Sequence, residues 1–161
     1  MSDNSLPTEL ALASPDNTSA PVSMPLPAPK TFILAGKAIF TLQGASNRYT
    51  FKVTRKDPSE GYAVAYFVSL LTGPENTTDY TYLGMLDCVT GQVRLTRKSS
   101  YTDASTPVLA IRWALRLIWA EKTLPAPAAI LHAGRCGRCG RLLTVPSSIE
   151  TGFGPECAGK I

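Results

Sequence analysis

The sequence predicts an α+β protein: about five strands in a mostly antiparallel meander sheet, one long helix packed on it, and a small C-terminal finger. Three observations predict this. Between residues 37 and 98, short apolar–polar alternations are separated by turn-rich clusters such as GASN, KDPSEG and TGPENTT. One uninterrupted run with helical spacing follows, STPVLAIRWALRLIWAEKTLP at 105–125. Finally, three of the four cysteines and the only histidine fall in HAGRCGRCGRLLTVPSSIETGFGPECAGKI, residues 132–161.

A chain of 161 residues is about one domain with room for a small appendage. Residues 1–30 are rich in Pro, Ser, Ala and Asn, and PVSMPLPAPK repeats proline too often for a helix or a central strand. They are expected to be a disordered or polyproline-like tail, either a plain solvated one or a tether or peptide ligand. The sheet-and-helix body is expected over 31–124 and the finger over 128–161.

Within the body, KAIFTLQ (37–43) reads as a short strand. RYTFKVT (48–54) alternates, with Tyr49, Phe51 and Val53 on one face and Arg48, Thr50, Lys52 and Thr54 on the other. YAVAYFVSLL (62–71) is apolar on both faces, as a central strand would be. DYTYLGML (79–86) puts Tyr80 and Tyr82 on one face, and QVRLTRK (92–98) points Val93 and Leu95 inward with Arg94 and Thr96 outward. The helix should start at a Ser105 or Thr106 cap, with Pro107 in the first helical position. Its apolar residues at 108, 109, 111, 113, 115, 117 and 118 form a wide face suited to covering a sheet. Trp113 and Trp119 are either part of that core or a binding surface. AAIL (128–131) leads into the finger as a short strand.

Charge is unevenly spread. Asp3, Glu9 and Asp16 against Lys30 give the first thirty residues a net of −2. The remainder has 15 basic and 9 acidic residues, a net of +6. A basic body suits nucleic acid or an acidic protein surface. No basic leader precedes an apolar run, and no stretch reaches the roughly 20 apolar residues of a membrane helix. The expected setting is therefore the cytoplasm, away from membranes, where clustered cysteines bind metal more often than they form disulfides.

His132, Cys136, Cys139 and Cys157 are spaced H-x3-C-x2-C-x17-C. A C-x2-C pair folds into a tight turn whose amides point at the sulfurs, and Gly137 and Gly140 allow the left-handed conformations of such a knuckle. RLLTV can return as a short arm. TGFGPEC can start a last helical turn with Cys157 near its N-terminus, the order of a compressed treble-clef finger. Three thiolates and an imidazole suit one tetrahedral zinc ion better than an iron–sulfur cluster. With four protein ligands the site would be structural. His132 is the least secure of the four, and Cys88, in the turn DCVTG, is the other spare donor. Arg135, Arg138 and Arg141 recur every three residues through the knuckle. They form either a phosphate-contacting rim or local compensation for the net −1 of three thiolates and a divalent ion.

The stretch CGRCGRLLTVPSSIETGFGPECAGK resembles a short zinc-binding family of unknown function, frequent in bacteriophage and actinobacterial proteins, with the pattern CxxCGRxLTxPxSIxxGxGPxC. The resemblance implies zinc binding and a phage or mobile-element setting, and no reaction. It does not extend to 31–124.

Two functions follow as expectations. The first is nucleic-acid binding through Arg48, Lys52, Arg94, Arg135, Arg138 and Arg141, with nearby tyrosines to stack on bases. Its alternative is a protein-interaction or inhibitor module that blocks a host protein. Catalysis is not expected. The chain has no P-loop, no G-x-S-x-G and no H-x-E before a C-x-x-C, and Glu60, Glu75, Asp79 and Asp87 lie by turns.

Overall fold

A computed structural model describes residues 24–25, 27–58, 61, 63–75 and 77–159. The described residues form an α+β fold with an antiparallel sheet of seven strands: β1 (Met24–Pro25), β2 (Lys37–Gln43), β3 (Arg48–Lys56), β4 (Ala65–Leu71), β5 (Tyr80–Leu86), β6 (Val93–Arg94) and β7 (Ala129–His132). The spatial order is β1-β7-β2-β3-β4-β5-β6. Strands β2 to β6 are the expected meander, since each pairs with its successor. The chain then crosses back so that β7 lies beside β2, with Phe40 opposite His132.

Alternation explains the inner face. Phe40 faces Phe51 across β2 and β3, and Val53 faces Val68 across β3 and β4; all four side chains are fully buried. The register slips between Val68 and Ser69, so that Gly84 opposes Val68 and Tyr82 opposes Ser69. This bulge turns Leu83 into the core even though Tyr80 and Tyr82 are only half-buried. Gly84 is required there, because a Cβ would stand 2.5 Å from the Arg94 carbonyl oxygen. The strand expected over 92–98 shrinks to two residues, Val93 and Arg94.

Four helices are described: α1 (Pro29–Ile33), α2 (Thr106–Trp119), α3 (Pro146–Thr151) and α4 (Pro155–Ala158). The single long helix expected over 105–125 does not form at that length. α2 has 14 residues, with Ser105 at the N-cap position and its hydroxyl turned to accept the Thr102 N–H rather than capping. It stops because Lys122 N–H donates to Leu117 C=O and Glu121 N–H to Ile118 C=O, with Glu121 left-handed at φ 59°. That pair of bonds is the Schellman closure, usually marked by glycine and here carried by a glutamate.

The apolar face of α2 divides. Val108, Ile111, Ala114, Leu115 and Ile118 enter the core, whereas Leu109 is 52% and Trp113 39% exposed. Trp119 is half-buried; its Nε1–H donates to Cys88 C=O, and its ring lies where a Cβ on Gly91 would be.

The proline-rich segment contributes more than a tail. β1 pairs with β7, and α1 begins at Pro29 and buries Phe32 and Ile33. Residues 1–23 and 26 of the expected tail lie outside the described residues. Phe32 touches the rings of His132 and Phe153, and one core cluster runs from the sheet through Cys136, Leu143, Phe153 and Cys157. No helix among the described residues is long and apolar enough to cross a membrane.

Candidate metal centre

The knuckle is built by backbone bonds. Cys136 N–H donates to Arg141 C=O, Gly140 N–H returns to Cys136 C=O, and Arg135 bridges to Leu142 as a one-rung hairpin. Gly140 takes the left-handed conformation at φ 80°. Gly137 serves a different purpose. A Cβ there would meet the Phe32 ring at 2.7 Å, and its backbone ties the knuckle to two elements: its N–H donates to Gly152 C=O and its C=O accepts from Lys37 N–H. After the hairpin, α3 closes on left-handed Gly152, and Gly154 and Pro155 start α4 with Cys157 as its third residue.

This path brings Cys136, Cys139 and Cys157 together, all three sulfurs lying within 4.8 Å of one another. A tetrahedral zinc ion with Zn–S bonds of about 2.3 Å needs sulfurs about 3.8 Å apart, so a slight contraction suffices. The donor set is compatible with a bound metal ion, and soft thiolates suit zinc. Cys136 is fully buried, Cys157 nearly so and Cys139 exposed. Burial works against a thiolate at Cys136, but the N–H groups of Gly154, Cys139 and Arg138 outweigh it and bring the thiol down to about 7. Burial and the neighbouring Cys136 push the Cys157 thiol up.

His132 stands apart from this group. Its ring is fully buried in β7, Nδ1 accepts the Gly134 N–H at 3.0 Å, and Nε2–H donates to Ile149 C=O at 2.5 Å. The two partners fix the tautomer and use both nitrogens, so His132 pins β7 to α3 instead of joining the sulfurs. Burial lowers its pKa, with the bond to Ile149 acting the other way. Cys88 is also outside the sulfur group, in the turn under Trp119.

The six expected nucleic-acid residues are spread over β3, β6 and the knuckle. Arg138 reaches the Cys157 sulfur at 3.9 Å, which favours charge compensation over a phosphate rim. Arg135 donates to Gly140 C=O and bears electrostatically on Tyr80, whose phenol burial pushes up to about 12. Lys52 lies over the same Tyr80 ring at 4.8 Å and donates to Thr77 C=O. Arg141 lines a cavity beside the sulfurs. Arg48 is exposed at the start of β3, opposite Gln43. Arg94 is at the far edge of the sheet, where it lines a cavity of about 610 Å³ with Arg112 and Arg116. The sequence reading missed the last two because they look like the polar stripe of an amphipathic helix; their spacing of four residues was the available signal.

Of the carboxylates by turns, Asp79 accepts the Glu75 N–H, and Asp87 accepts those of Val89 and Thr90, which hold its carboxyl below the usual range. Glu60 lies outside the described residues.

Residues 126–161 match a family of unknown function, DUF6011. The match takes in β7 and the whole of the sulfur-bearing segment, and it leaves β1 to β6 and α2 outside. No curated protein and no solved structure matches the chain.

Proposed function

We propose that the chain is a non-catalytic accessory protein, held at its C-terminal end by one structural zinc ion, that binds nucleic acid through phosphate contacts. The observation that carries this reading is the arginine-lined cavity at the β6 edge. Arg112 is held in place there: its Nε–H donates to Val93 C=O at 3.0 Å, and its Nη1 pairs with Asp103 at 2.8 Å. Arg116 follows one turn later on α2, and Arg94, whose guanidinium donates to Met85 Sδ at 3.8 Å, lines the cavity from β6. Three arginines lining one cavity suit the oxygens of a phosphodiester. The net charge of +6 outside the first thirty residues supports the same reading.

The test is fluorescence anisotropy with labelled single-stranded and duplex DNA across a salt series. Binding that weakens steeply with salt supports the proposal, and no binding at low salt removes it.

An apolar groove of about 340 Å³ favours the second reading, a protein-interaction or inhibitor module. Its lining includes Leu42, Tyr49, Leu109, Trp113 and Leu124. In the phage or mobile-element setting that the sequence resemblance implies, the partner would be a host protein. Co-purification of one host protein that survives nuclease treatment, and is lost with Trp113→Ala, would favour it over the first.

A further inference from the structure

The sulfur group supplies three donors, and a tetrahedral ion needs a fourth. The sole histidine is spent on Gly134 and Ile149, and no carboxylate among the described residues joins the three sulfurs. Beside the three cysteines lies a cavity of about 300 Å³, lined also by Arg141, Thr144, Ser148 and Glu156. Ser148 is the unusual member. It is only 5% exposed, and its hydroxyl has no hydrogen-bond partner among the described residues. A buried hydroxyl without a partner normally signals a bound molecule that completes it.

We propose that the fourth coordination position opens into this cavity and takes an exogenous single-atom donor, which the Ser148 hydroxyl holds. The inference rests on the zinc reading above. In the isolated protein the donor is water. Because the metal is bound by soft thiolates and Cys139 is exposed, imidazole or a small thiol can take its place. Exchange forms one metal–ligand bond and releases one water, with no change in oxidation state. A thiol also gives up its proton to solvent. Arg141 sets a positive charge on the cavity wall, opposing the net −1 of three thiolates and a divalent ion. Ser148 is a positioning residue; it orients the donor and does not bind the metal.

Cobalt(II) replaces zinc in the full chain as a visible probe. One cobalt per chain with thiolate charge-transfer bands is expected, and titration with imidazole should shift the visible bands saturably while cobalt stays bound. Ser148→Ala should keep the cobalt and weaken imidazole binding roughly 2–10-fold, the effect of one net hydrogen bond. Cobalt bound with bands that ignore both imidazole and 2-mercaptoethanol overturns the inference and leaves the metal site standing. A response that appears only in Glu156→Gln also overturns it, because the glutamate would then be the fourth donor. Failure to take up cobalt overturns the metal reading itself.

Discussion

Replacing His132 by alanine removes a ring that sits at 0% exposure and serves two backbone groups at once. The Gly134 N–H loses its acceptor inside the core, and the Ile149 C=O loses its donor. Each orphaned group costs about 1–3 kcal/mol. The ring also packs against Phe32 with centroids 5.9 Å apart, so its removal leaves a void. Allowing for partial collapse or water entry, the loss should be about 3–5 kcal/mol, a large share of an ordinary domain's stability. Urea unfolding of the zinc-loaded protein, followed by circular dichroism, reads this directly. The midpoint should fall while the slope stays constant, and the folded variant should still carry one zinc per chain. A loss below about 1 kcal/mol would refute the accounting. A variant that stays folded but has lost its metal would refute the division of labour between histidine and cysteines.

Acidification should act through the same side chain. The folded-state pKa of His132 is lowered, so its contribution to stability is complete above the unfolded value near 6.5 and is lost as pH falls through the folded value. Urea midpoints between pH 7.5 and 5 should decline for the native chain and decline less for His132→Gln. Gly137→Ala drives a methyl into the Phe32 ring and should cost about 1–3 kcal/mol, with partial recovery in Gly137→Ala/Phe32→Leu; equal stabilities by thermal melting would contradict the packing. Ala in place of both Arg94 and Arg116 should reduce the slope of log affinity against log salt by about 1.4–1.8 if each holds one phosphate, and an unchanged slope would exclude the cavity as the contact.

The sheet was legible wherever one face was buried. RYTFKVT shows its pairing in the alternation, with Phe51 and Val53 inside as that alternation requires, whereas KAIFTLQ is legible as a short strand but is buried on both faces from Ala38 to Leu42. QVRLTRK alternates equally well yet pairs over two residues, since alternation reports which face is apolar and not how far a partner strand extends. The end of α2 was hidden because a glutamate holds the left-handed position that glycine would have advertised. The contribution of α1 was masked by the prolines around it, although Pro29 is well placed to begin a helix and Phe32 and Ile33 supply its buried face.

The cysteine spacing located the sulfur group, because C-x2-C and a glycine-proline helix start are local instructions. The fate of His132 was not local. Four residues upstream of Cys136, a histidine can equally be a ligand or a buried strap, and the choice depends on Ile149, seventeen residues away in a helix that the spacing does not announce. The arginines divided in the same way. Arg138 turns back to a sulfur while Arg94 lines one cavity with Arg112 and Arg116, a grouping that only the folded chain creates.

Zinc K-edge X-ray absorption on the purified chain tests the central claim most directly. Three sulfurs at about 2.3 Å and one lighter donor, without the outer-shell scattering of an imidazole, are predicted. Fewer than three sulfurs, or a clear imidazole signature, would contradict a centre built from Cys136, Cys139 and Cys157 alone.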